Sequence, residues 1–312
     1  MKISVVSPVY QAQNIVDELV VRLVSELQKI TNDYEIFLVD DGSSDNSWEK
    51  ISENCILNSN IKGIKLSKNF GQHSAILAGT LKASGDFIVI IDCDLQDDPK
   101  YIKTLTDEFK KGYDVVFTKR KNNNQNIFKR FSSVFFSLLI NFFSKDKLHK
   151  NTGSLLGFGK NIQFNFNKFK DRDRQTVQIL KWLGYNSTIV ETEHFKRFEG
   201  KSTYTISALF KLALQGLINH TDKLLKYTIF IGCVLSLLSI FSALLLIIRY
   251  FSGSLDIVWT SVIVSVVVAI LFSTGLILMS IGILGVYIGK IFLQARNRPL
   301  FIIDKEINLK NF

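Results

Sequence analysis

Two stretches without a charged side chain, residues 227–248 and 257–289, restrict this chain more than any other feature. They run for 22 and 33 residues, and about 20 apolar residues are enough to cross the hydrocarbon core of a bilayer. Both read as membrane crossings. The short loop between them holds only Arg249 and Asp256, whereas Lys211, Lys223 and Lys226 precede the first stretch and Lys290, Arg296 and Arg298 follow the second. Basic residues stay on the cytoplasmic side, so the pair is expected to form a hairpin with both ends in the cytoplasm. Gly275, Gly282, Gly285 and Gly289 would permit close helix contact in the second crossing, which keeps a homo-oligomer among the options.

The first two hundred residues have a different grammar. Short runs rich in β-branched residues alternate with helical periodicity, and each run closes in a polar turn; this is the pattern of a parallel sheet with helices on both faces. Strands are expected at residues 3–7, 35–39, 61–66, 87–91 and 114–118, with a last one near 187–193. Between the first two, Ile15, Leu19, Leu23 and Leu27 recur every four residues, as the inward stripe of a helix does. Another helix is expected near 101–111, and no pattern is assigned to 144–174. Ligands of such sheets bind beyond the carboxyl ends of the strands, so Tyr10, Asp40, Asn69 and Asp92 are expected to converge on one crevice. No G-x-G-x-x-G follows the first strand and no G-x-x-x-x-G-K-[ST] occurs, which disfavours dinucleotide oxidoreductases and P-loop enzymes.

The chemistry is concentrated in GDFIVIIDCDLQDDP, residues 85–99. On an extended strand end, Asp92 and Asp94 would face one side and Cys93 the other, with Gln96 one further step of two along. Two hard carboxylates on one side suit Mg²⁺ or Mn²⁺ carrying a diphosphate. By itself D-x-D is equally a solvated acidic turn before a Pro99 helix start. A second set, RFEGKSTY at 197–204, gathers Arg197, Lys201 and two hydroxyls around Gly200, the equipment of phosphate recognition; a solvated basic loop is the plainer reading. Two segments are expected to lie in the headgroup plane: 127–143, with Lys129 and Arg130 near its start, and one over 206–217.

A net charge of +10 fits an anionic substrate or membrane surface. Nucleic acid is disfavoured, because much of the basic excess flanks the apolar stretches and no interleaved aromatic and basic motif occurs. Cys55, Cys93 and Cys233 lie far apart, without C-x-x-C or a histidine cluster, so neither a disulfide framework nor a zinc site is expected. The beginning ISVVSPVY reads as a strand, and no signal peptide is expected.

In order along the chain, VVSPVYQAQNI, FLVDDGSSDNS, LSKNFGQHSAILAG, DCDLQDDP and RFEGKSTY resemble the inverting family 2 glycosyltransferases of GT-A fold. The likeness is to the branch of dolichol-phosphate mannose synthases and bacterial polyprenyl-phosphate glycosyltransferases. It implies a cytoplasmic catalytic domain over 1–200, an interfacial helix over 201–225, a transmembrane hairpin over 226–290 (crossings at about 227–248 and 258–289) and a cytoplasmic tail over 291–312. It implies that Pro8, Tyr10, Asp40, Asp41, Asn69 and Asp92 line a nucleotide-sugar pocket. Asp92, Asp94 and Gln96 would hold Mg²⁺ or Mn²⁺; Arg120 and Arg197 would join the two aspartates in catalysis; Lys129, Arg130, Arg197, Lys201 and Ser202 would meet the lipid phosphate. The implied reaction transfers a hexose, UDP-glucose being the first donor to test, to undecaprenyl phosphate at the inner-membrane face. A transferase extending a polysaccharide, and a non-catalytic membrane-anchored nucleotide-sugar-binding protein, are the alternatives. Two departures stand out: Gln13 occupies a place usually acidic in the family, and NTGSLLGFGK lacks the Asp or Arg that many relatives carry there.

Overall fold

The computed structural model of the chain describes residues 1–120, 152–172, 174–193 and 259–309, with isolated positions between 232 and 248. The elements run β1 (Ile3–Val9), α1 (Val16–Gln28), β2 (Tyr34–Asp40), α2 (Ser47–Leu57), β3 (Ile61–Leu66), α3 (Gln72–Lys82), β4 (Phe87–Ile90), α4 (Tyr101–Lys110), β5 (Val115–Arg120) and β6 (Thr152–Gly159). There follow α5 (Lys160–Lys168), α6 (Thr176–Trp182), β7 (Ser187–Thr192), α7 (Trp259–Ala295) and β8 (Ile303–Ile307).

Eight strands form one mixed sheet in the order β7-β5-β6-β4-β1-β2-β3-β8. The pairs β4–β1, β1–β2 and β2–β3 are parallel. Period-two alternation divides each strand between two apolar layers. Val5, Ile36, Leu38, Phe87 and Val89 pack with Leu19, Leu23 and Leu27 of α1, Trp48 and Ile51 of α2 and Leu105 of α4. On the other face Val6, Phe37, Val39, Ile88 and Ile90 meet Ala75 and Ala78 of α3, Ile162 and Phe166 of α5 and Ile179 of α6. Leu19, Leu23 and Leu27 are fully buried, as their four-residue spacing predicts, each contributing about 1.5–3 kcal/mol. Gly79 allows α3 to close on β1, since a Cβ there would stand 2.4 Å from Val6 Cγ1.

Two strands were not expected. β6 enters antiparallel between β4 and β5, within the stretch to which no pattern is assigned. β8 pairs antiparallel with β3, and Lys82 reaches Glu306 at 3.0 Å. Residues 303–307 are thus an edge strand of the sheet, where the sequence suggested only a tail. Charged Asp304, Lys305 and Glu306 on a short edge strand are what such positions tolerate, and they hide the strand from a search for apolar alternation.

The chain divides into two compact units: Met1–Asn126, His149–Thr203 and Arg298–Phe312 in one, Ile127–Leu148 and Tyr204–Asn297 in the other. The second contains α7, whose portion Ser265–Ala295 is, among the described residues, the helix long and apolar enough to cross a membrane. The headgroup-plane segments at 127–143 and 206–217, and nearly all of the first crossing, lie outside the described residues.

Candidate active site

The sheet places its functional ends in a row. β4, β1, β2 and β3 are neighbours and parallel, so their carboxyl ends open on the same edge. The chain winds from β1 through β2 to β3 and then returns to the other side of β1 as β4. That reversal makes β1/β4 the switch point at which open α/β sheets bind ligands.

A cavity of about 340 Å³ lies there, lined by Pro8, Val9 and Tyr10 at the end of β1, Asp41 after β2, Asn69 and Gly71 before α3 and Gln72 at its start, and Asp92, Cys93 and Asp94 after β4. Six expected residues, Pro8, Tyr10, Asp41, Asn69, Asp92 and Asp94, line it. Two others are placed differently. Asp40 is fully buried at the end of β2 and is absent from the lining; its Oδ1 accepts the Ser43 amide at 3.1 Å. Gln96 also lies off the lining, and Cys93 lies on it. The reason is local: β4 ends at Ile90 and Leu95 has φ of +55°, so the chain turns where an extended strand would alternate. Asp94 Oδ1 accepts the Gln96 amide at 3.1 Å, closing that turn.

Asp41 fastens two loops together. Its carboxylate accepts the amides of Phe70 at 2.7 Å and Gly71 at 2.9 Å, which brings the end of β2 against the start of α3. Gly42 makes this possible with φ of +68°, since a Cβ there would stand 2.3 Å from the Lys68 carbonyl carbon. Burial raises the pKa of both Asp40 and Asp41; hydrogen bonds from Ser43 to the first and from Phe70 and Gly71 to the second offset part of that shift. The Cys93 thiol is pushed up to about 12, chiefly by burial and then by the charge of Asp92.

Sequence reasoning overlooked Gln72, whose Nε2 donates to Asp92 Oδ1 at 2.6 Å. Its position as the first residue of α3, just past Gly71 with φ of +94°, was the available signal. The run SSDNS holds the first loop. Ser43 Oγ accepts the Gln11 amide at 3.0 Å, Ser47 Oγ the Ala12 amide at 2.9 Å and Asp45 the Gln13 amide at 3.2 Å. The first loop is thereby stitched to the second. Gln13 itself accepts the Asn46 amide at 3.0 Å and is not on the cavity wall. In NTGSLLGFGK, Ser154 donates to Asp97 Oδ2 at 2.5 Å, tying the turn after β4 to β6.

Arg120 is the last residue of β5, its backbone paired with Thr192; its side chain, like all of Lys129, Arg130, Arg197, Lys201 and Ser202, lies outside what the structure describes.

A mostly parallel sheet with carboxylates converging at the switch point is the GT-A architecture of nucleotide-sugar transferases. Residues 4–172 match the sequence profile of glycosyl transferase family 2, and the chain belongs to that family. It is 31% identical to the uncharacterized glycosyltransferase YkcC of Bacillus subtilis strain 168, over 99% of this chain and 95% of that protein. It is 33% identical to the undecaprenyl-phosphate 4-deoxy-4-formamido-L-arabinose transferase of Proteus mirabilis strain HI4320, over 99% and 95%. Among solved structures, mannosyl-3-phosphoglycerate synthase from Rubrobacter xylanophilus superposes with a TM-score of 0.52 at 12% identity, over 73% of this chain and 74% of that one.

Proposed function

We propose that this glycosyltransferase transfers a hexose from a nucleotide sugar to polyprenyl phosphate, inverting the anomeric carbon. UDP-glucose is the first donor to test and undecaprenyl phosphate the acceptor, with the lipid-linked sugar serving modification of cell-envelope glycans. The proposed setting is the bacterial inner membrane with the sheet unit in the cytoplasm and residues 226–290 as the membrane hairpin. The observation that carries the reading is Asp92 and Asp94 on one cavity wall at the switch point, in a chain that also holds a helix of membrane-crossing length. The name of the Proteus mirabilis relative, a transferase acting on undecaprenyl phosphate, supports the same acceptor.

The cavity wall fits a divalent ion. Among the described residues no three acids, histidines or cysteines group as a metal cage, and Mg²⁺ or Mn²⁺ in phosphate chemistry commonly takes one or two carboxylates, leaving its other positions to substrate phosphates and water. Asp92 and Asp94 would hold it, with Gln96 assigned as a third oxygen by resemblance alone. When bound, the ion supplies charge neutralisation for the departing nucleoside diphosphate. The chain's own residues do the rest. Gln72 fixes one oxygen of Asp92 and so the direction of its other one. Asp41 holds the backbone at Phe70 and Gly71, of which Gly71 lines the cavity, and Tyr10, half exposed on the lining, is the proposed contact of the nucleotide. A lipid monophosphate is largely a dianion at neutral pH, with a second pKa near ~6, so alignment with the anomeric carbon suffices and no strong base is required. Arg120, Arg197, Lys129, Arg130, Lys201 and Ser202 are the proposed phosphate contacts.

The test is to supply membranes containing the protein with undecaprenyl phosphate and radiolabelled UDP-glucose, other UDP-hexoses, GDP-mannose and UDP-aminosugars in turn, then to identify the lipid product. One lipid-linked sugar, formed only with divalent metal present, is the expected result. Absence of any lipid-linked product across the donors, with the protein folded and in the membrane, would overturn the proposal.

A further inference from the structure

On the outer side of α5 and α6 the sheet unit carries a patch that the reaction does not use. Trp182, the last residue of α6, is 76% exposed, and Phe164 on α5 is 67% exposed. Phe169 joins them: its ring meets Trp182 edge-on at 5.3 Å between centroids. Lys168 Nζ stands 3.8 Å from the centre of the Phe164 ring, and Lys168, Arg172 and Lys181 are all exposed. Large apolar side chains left in water beside several cations are an expensive surface for a soluble domain, and such patches mark interaction sites.

The position of the patch suggests what covers it. Arg172 donates to the main-chain carbonyl of Arg298 at 3.4 Å, within the same sheet unit. Only Arg296 and Asn297 separate Arg298 from Ala295, where α7 ends. The patch therefore borders the residue at which the chain re-enters the sheet unit after its membrane-length helix. Tryptophan with lysine and arginine is the composition that settles at the bilayer interface, the ring at headgroup level and the cations on lipid phosphates.

We propose that this face of α5 and α6 docks on anionic lipid headgroups, giving the catalytic unit a membrane contact of its own besides the hairpin. The inference rests on the membrane reading above, and on neither donor nor acceptor. Docking of this kind would hold the sheet unit in one orientation against the bilayer.

The experiment uses the full chain in nanodiscs, with Trp48→Phe and Trp259→Phe leaving Trp182 as the one tryptophan emitter. Phosphatidylcholine lipids brominated along the acyl chain report contact by quenching. With about one third phosphatidylglycerol, Trp182 emission is expected to fall at least two-fold on brominated lipid, and most of that quenching is expected to vanish in Lys168→Glu/Lys181→Glu or in pure phosphatidylcholine. Emission unaffected by brominated lipid while the chain remains in the nanodisc would overturn the docking and leave the membrane reading standing. Loss of the chain from the nanodisc would overturn the membrane reading itself. Trp182 shielded from acrylamide yet unquenched by brominated lipid would assign the face to a second copy of the chain and likewise overturn the proposal. Quenching that survives both the charge reversal and the neutral lipid would overturn the electrostatic half of the inference.

Discussion

The two ends of the parallel sheet use the same residue type to opposite ends. At the amino edge Glu35 is 2% exposed and fully engaged: Ser4 Oγ donates at 2.6 Å and the Ser84 amide at 2.7 Å, Lys2 stands at 3.0 Å and Lys62 closer still. Burial alone would raise its pKa, yet these partners, Lys62 foremost, bring it down to about 2. At the carboxyl edge Asp40 and Asp41 are just as buried, and their pKa values shift upward; Asp92 and Asp94 face a cavity. One edge neutralises its acid within the chain. The other keeps carboxylates at the edge of a space that a ligand can fill, and under the proposed function that contrast separates a structural acid from a functional one in the same sheet.

The sharpest way to break this contrast is to neutralise one acid at each edge. Asp94→Asn is expected to lower transfer by ~10²–10³-fold or more, in line with removal of a group that stabilises charge in the transition state, with the thermal midpoint unchanged within a few degrees. Near-normal turnover would remove Asp94 from the chemistry. Glu35→Ala should do the reverse: breaking a buried ion pair from one side costs on the order of 3 kcal/mol, read by denaturant unfolding, while donor affinity of the folded fraction stays as it was. A comparable loss of donor affinity would show that the amino edge is not merely structural.

Acid titration sharpens the same contrast. The ordinary value for Glu35 is near 4.5 and the folded one about 2. A depressed folded pKa gives stability that is complete above the unfolded value and is lost as pH falls through the folded one. The stability gap between the wild type and Glu35→Gln should therefore be constant above pH 4.5 and shrink towards about 2, by at most about 3 kcal/mol in all. Asp40 and Asp41 have the opposite sign: with raised folded values, their protonation favours the native state as pH falls. A gap that grows on acidification would mean that Glu35 is not ion-paired.

Legibility followed the same division. β1 to β4 and Asp92 with Asp94 could be read because short β-branched runs closing in acids leave little else for the chain to do. β6 escaped because TGSLLGFG is interrupted by glycine three times, so apolar alternation is weak although the strand lies inside the sheet. β8 escaped because three of its residues are charged. At the site, Asp41 and Gln72 act through contacts with distant segments: Asp41 with residues 70 and 71, Gln72 with Asp92. Such pairs become visible only once β2, β3 and β4 are side by side. Gln96 lies off the cavity lining because strand geometry does not continue past Ile90, and Leu95 turns the chain.

The smallest effect concerns a difference from the family pattern. If Gln13 touched the nucleotide, introducing the acid that the family resemblance implies there should change donor affinity strongly. The structure argues otherwise: Gln13 Oε1 accepts the Asn46 amide at the start of α2, a bond that a glutamate oxygen can also accept. The added charge would sit beside Asp45, which already takes the Gln13 amide, and that repulsion is unfavourable. It would also sit at the amino end of α2, where a helix favours negative charge by about 0.3–1 kcal/mol. The two effects oppose each other at similar size. Gln13→Glu should therefore shift the unfolding free energy by no more than about 0.5 kcal/mol and donor affinity by no more than about two-fold, measured by calorimetry with the nucleotide sugar. A ten-fold change in affinity at unchanged stability would bring Gln13 into the pocket and make the stitch between the first two loops part of the binding surface.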